Sequence, residues 1–126
     1  MLSRRHLRVK VMQAIYAFLQ GENHDLALGE KELLKSINKI YELYIYILLL
    51  LPELLDFAKN RIEERKQKRL PTHEDLNPNT HFVDNALLNK LSTNHALIRE
   101  RDLRKLSWAD ESELIKKIFN VIENRF

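Results

Sequence analysis

Arg4, Arg5, Arg8 and Lys10 lie close together in a stretch, residues 1–20, that contains no Asp or Glu. Guanidinium groups grip phosphate bidentately and stack on bases, so cations at this spacing point to polyanion chemistry. Gln13 and Tyr16 follow. An amide there could reach a base edge, and a phenol ring could stack on a base. Both are equally the kind of residue that packs one helix against another, so the arginines are the stronger signal.

These groups need a helix to hold them. Residues 3–20 read as an amphipathic one, with Ser3 as N-cap, Gly21 as stop, and Leu7, Val11, Ala14, Ile15 and Phe18 as an apolar stripe. At 100° per residue Arg4 and Arg8 project on the side of Val11 and Ile15, so the stripe is cationic in its first turns and apolar afterwards. Cations at a helix N-terminus oppose the macrodipole by roughly 0.3–1 kcal/mol each. Stability alone would place Asp or Glu there. A bound polyanion removes the conflict, because helix N-termini and Arg both favour phosphate. The plain alternative is a solvated basic turn, or arginines paired with acids elsewhere in the fold.

The string Arg4-Arg5-x-x-Arg8 followed by Gln13-Ala14-Ile15-Tyr16 resembles the opening helix of the NusB transcription antitermination family, where an Arg-rich start runs into a Gln-Ala-Leu-Tyr motif. His6 stands where the family often has another Arg, and Lys10 where a small residue is common. The resemblance implies a cytoplasmic RNA-binding antitermination factor without catalytic activity. Its RNA would be a boxA-like single-stranded element of a nascent ribosomal transcript. A small ribosomal subunit protein would bind alongside, and RNA polymerase would be engaged indirectly through that complex. Arg4, Arg5, Arg8, Lys10, Gln13 and Tyr16 are the RNA-binding candidates. Two rivals stand beside this reading: an RNA-binding front domain of a ribosomal RNA methyltransferase, and a protein-interaction bundle that binds no RNA.

Composition narrows the classes. The 126 residues are 44% hydrophobic and 31% charged, with a net charge of +3, two Gly and three Pro. That balance suits one all-α domain with a real core. With no Cys there is no disulfide framework, thiolate nucleophile or Cys-bound zinc. Gly21 and Gly29 are the only glycines, so no Gly-rich phosphate loop exists. No Ser-His-acid order stands out, and neither a cofactor nor a metal is expected. His73, Glu74, Asp75 and His81 are the nearest approach to a metal set, yet they fall in an irregular polar segment. The apolar run at residues 40–51 is too short to span a bilayer and includes Glu42, so no membrane association is expected.

About five helices are expected, arranged as the N-terminal part of a NusB-like bundle. After the first, a long central helix kinked at Pro52 should start between Asp25 and Glu30 and run to about Leu70, nearly all apolar around its circumference beyond Ile45. Its basic end, residues 59–69, reads as a solvated helix terminus, with a second RNA surface as the alternative. Residues 71–81, with two prolines, read as a surface loop. A third helix over residues 82–91 and a fourth capped by Asn94 should follow. Trp108 should plug a helix junction, and Asp110 with Glu113 should open a fifth helix with Leu114, Ile115, Ile118, Phe119 and Ile122 inward. NusB-like domains continue with Asn-Glu-Ala and Phe-Val-Asn-Gly strings that this chain lacks. The chain is therefore expected to form an incomplete NusB-like domain that self-associates to cover an apolar face.

Overall fold

Ser3 starts the first helix as its position suggested. In the computed structural model, which describes residues 2–125, Ser3 is extended and its hydroxyl accepts from the backbone N–H of His6 at 3.3 Å. Helix α1 then runs Arg4–Gln20. It stops because Gly21 turns extended, with its N–H bonded to the carbonyl of Ala17 at 3.0 Å. A Cβ on Gly21 would sit 3.2 Å from that carbonyl oxygen, so glycine suits the close approach. Asn23 and Asp25 form successive side-chain turns, the second accepting from the N–H of Ala27 at 3.0 Å and capping the next helix.

That helix, α2, spans Leu26–Lys66 without interruption. Its start falls within the expected window of residues 25–30, and it ends short of residue 70. Pro52 lies inside it, at a cost of about 3 kcal/mol for a helix interior. Leu54 and Leu55, the residues just beyond, are 2% and 0% exposed, and burial of each contributes about 1.5–3 kcal/mol. Their packing offsets the missing hydrogen bond, which is why the helix continues.

The chain divides into two compact units, one ending at Tyr44 and the other beginning at Ile45, with α2 contributing to both. In the first, α1 meets the start of α2 where the Phe18 ring lies against Gly29. A Cβ at Gly29 would come within 3.0 Å of that ring, so the absence of a side chain sets the approach. No residue of α1 is buried.

The second unit holds the hydrophobic core. Ile45, Leu49, Leu54 and Ala58 of α2 pack with Leu97, Trp108, Ile115 and Phe119. The contributing elements are α3 (His73–Leu76), α4 (Ala86–Ser92), α5 (His95–Arg104), a 3-10 turn (Ala109–Glu111) and α6 (Ser112–Arg125). Phe57 and Phe82 both meet Phe119 edge-on, at 5.3 and 5.6 Å. Trp108 is buried as a junction plug, stacked on Tyr46 at 4.0 Å, with its indole N–H donating to the Tyr46 carbonyl at 2.8 Å. The fold is an all-α helical bundle with a long central helix, and no strand occurs among the described residues.

Several local expectations change. The segment 71–81 contains the one-turn α3, made by a capping box in which Thr72 accepts from the N–H of Asp75 and Asp75 accepts from that of Thr72. The third expected helix starts only at Ala86, because Asn85 caps it by accepting from Leu87 and Leu88, and Phe82 and Val83 precede it in a turn against the core. The last helix is entered through the 3-10 turn after Trp108 rather than through an Asp110–Glu113 box. Leu114, expected to face inward, is 41% exposed, since the core is reached by Ile115 and Phe119 on another arc of α6.

Candidate nucleic-acid interface

The basic turns of α1 are held by one local device. Ser3 accepts the His6 backbone N–H and its oxygen also lies 2.7 Å from Nδ1 of the His6 ring, leaving the hydroxyl proton free to be donated to that nitrogen. His6 thus locks the cap that starts the helix. Sequence reading missed this role, although a histidine three residues after an N-cap serine was there to be seen.

Arg4, Arg5 and Arg8 are exposed and Lys10 is half-buried. Among the described residues none of the four has a carboxylate within ion-pair distance. The first turn of α1 also contains no acidic residue. Arg4, Arg5 and Arg8 therefore stand in the opening turns, at the positive end of the helix dipole, with no acid of the first turn to offset them.

The six candidates do not share one face. Arg4 and Arg8 project beside Val11 and Ile15, whereas Arg5 lies on the next arc with Tyr16, whose ring is 67% exposed. Lys10 and Gln13 turn the other way and line a groove of about 470 Å³ whose floor is Ala14, Ala17 and Phe18 of α1 and Leu28, Gly29 and Leu33 of α2. Glu22, Asp25 and Glu32 also line that groove, so it is unsuited to phosphate. The exposed arginines form the anion-facing surface, with Tyr16 beside Arg5 as the available stacking ring. Gln13 and Lys10 stand apart from it.

The second basic stretch is arranged differently. Arg61 Nη1 donates to Asn120 Oδ1 at 2.7 Å, pairs with Glu123 at 3.1 Å, and its guanidinium lies 5.6 Å from the centre of the Phe119 ring. Arg65 pairs with the same Glu123 at 3.2 Å, and Lys66 with Glu63 at 3.8 Å. Lys68 reaches the buried Asp75 at 3.2 Å. The Thr72 backbone N–H, followed by Lys68 and the Thr72 hydroxyl, holds the Asp75 carboxyl below its ordinary range despite opposing desolvation. Arg61 and Arg65 thus fasten α2 to α6, Lys68 holds the start of α3, and Lys66 pairs within α2.

Elsewhere in the second unit, burial and then the neighbouring Asp56 raise the Glu53 carboxyl, with Arg101 opposing. Burial followed by Glu111 and Asp110 raises the Tyr46 phenol. Neither is arranged with a nucleophile. No group of His, Asp and Glu gathers to hold a metal among the described residues, and no helix there is long and apolar enough to cross a membrane. Comparison of the chain with protein-family models, curated proteins and solved structures gives no match.

Proposed function

We propose that this chain is a cytoplasmic, non-catalytic RNA-binding protein of the NusB antitermination type, which captures a boxA-like single-stranded segment on the first turns of α1. The observation that carries this reading is the set of exposed arginines, Arg4, Arg5 and Arg8, with no carboxylate within ion-pair distance among the described residues, on a helix start without a single acid. Arg4 and Arg8 track the phosphates, and Arg5 and Tyr16 take a base by stacking. The likeness to NusB adds a small ribosomal subunit protein as the second component and RNA polymerase as the eventual target.

The test is a titration of labelled boxA-like RNA across a salt series, with wild type and with Arg4→Ala/Arg5→Ala/Arg8→Ala. Binding by wild type should weaken steeply with salt, and the slope should flatten by about 1.4 on loss of the Arg4 and Arg8 phosphate contacts, at roughly 0.7 per single-strand phosphate. Equal affinity of the two proteins, or salt-independent binding, would overturn the reading. The rival, a bundle that docks proteins alone, draws on one observation: Met12, Ile15 and Leu19 of the same helix are 65%, 54% and 68% exposed.

A further inference from the structure

We propose that a cleft between α2, α6 and the segment following α3 binds a small aromatic monocarboxylate. The cleft holds about 490 Å³, within the range of small-molecule sites. Ile62 of α2, Phe82 and Val83 of the connecting segment, and Phe119 and Ile122 of α6 line it. Phe119 is buried, and the other four stay half-buried although the chain has packed around them. Phe82 already stands edge-on to Phe119 at 5.6 Å, and a ligand ring resting on them can extend the same arrangement. The lining therefore calls for an apolar body with a ring.

Charge supplies the other half of the ligand. Arg61 and Arg65 both line the cleft, and both pair with one carboxylate, Glu123, at 3.1 and 3.2 Å. Arg61 Nη1 also donates to Asn120 Oδ1 at 2.7 Å, and its guanidinium lies over the Phe119 ring. Arg65 meets Glu123 through Nη2, so among the described residues its other N–H groups keep donors to offer, on a side chain 38% exposed. Two guanidinium groups thus share a single negative charge beside an apolar cavity. One further anion completes the set, and a carboxylate matches the planar fork of Arg65. Glu74, on the α3 side of the cleft, disfavours a second negative charge on the ligand, which is why the ligand is a monoanion.

The site lies wholly in the second unit and uses none of the α1 arginines, so it stands or falls separately from the RNA reading. The test is a titration of the full chain with hydrocinnamate, followed by amide chemical shifts in nuclear magnetic resonance spectra. Saturable shifts should centre on Phe82, Val83, Phe119 and Ile122. Hydrocinnamamide has the same body without the charge and should bind at least about tenfold more weakly. Benzylmalonate, with a second carboxylate on that body, should also bind more weakly, and Glu74→Gln should narrow that gap. Arg65→Gln should weaken hydrocinnamate binding at least about tenfold. Its urea midpoint should move little, because Arg61 still holds Glu123. No saturable binding, shifts centred outside the cleft, equal affinity for the acid and its amide, a dianion bound as tightly as the monoanion, or an Arg65→Gln protein that binds as wild type does would each overturn the proposal. Should Arg65→Gln fail to fold, the acid and amide on the wild-type chain decide alone.

Discussion

The two basic stretches are both rich in Arg and Lys, but the second also contains Glu63 and Glu64 and is put to a different use. Arg61 and Arg65 reach across sequence to Glu123 and tie α2 to α6, and Lys68, just past the end of α2, pairs with Asp75 of α3. Arg4, Arg5 and Arg8 reach nothing among the described residues. The units that contain them differ in the same way, since every residue classed as hydrophobic core lies at or beyond Ile45 and none lies in α1. A cation with a carboxylate partner in a packed unit contributes to the fold. One without a partner, on a thinly covered helix, is available to something outside it.

The contrast can be broken most sharply in the packing. Leu55→Ala, at a fully buried site, should cost about 2–5 kcal/mol in urea denaturation, whereas Ile15→Ala on the open side of α1 should change stability by less than about 0.5 kcal/mol. Similar losses at both would erase the distinction between the units. Next comes RNA. Replacing Arg4, Arg5 and Arg8 by Ala should lower affinity by at least about tenfold near 0.15 M salt, because the two phosphate contacts of Arg4 and Arg8 carry a salt exponent of about 1.4. Thermal stability should hold steady or rise slightly as the dipole conflict disappears.

Arg61→Ala should do the reverse, lowering stability by about 1 kcal/mol through its exposed-to-half-buried pair with Glu123 and leaving RNA affinity unchanged. An RNA defect in that variant would reassign the second stretch. The smallest effect is in pH. The Asp75 carboxyl is depressed below its ordinary 3.8, so its contribution is present above that value and is lost as pH falls through its folded pKa. Amide exchange at Thr72 and Asp75 should quicken over that acid window, and Asp75→Asn should flatten the dependence.

Much of this was readable in the chain. Ser3, Asn85 and Asn94 mark helix starts because a short oxygen-bearing side chain can satisfy a free backbone N–H, although the weight of Asn85 was overlooked in favour of the apolar Phe82 and Val83. Thr72 and Asp75 spell a capping box in plain sequence, but two flanking prolines make the segment look like loop. Arg61 finding Glu123 depends on where α6 comes to rest, which no local pattern encodes. The exposure of Arg4 and Arg8 was legible from the lack of nearby acids. The turning of Lys10 and Gln13 into the groove was not, since it depends on Gly29 letting α2 approach Phe18.

Trp108 is the chain's one tryptophan, and it is stacked on Tyr46 and hydrogen-bonded to that residue's carbonyl inside the second unit. Red-edge excitation therefore lights a single chromophore whose colour and lifetime follow the melting of residues 45–125. A titrant landing on the arginines of α1 should leave that emission dark to the event, so loss of structure and capture of a ligand can be watched in one cuvette as separate signals.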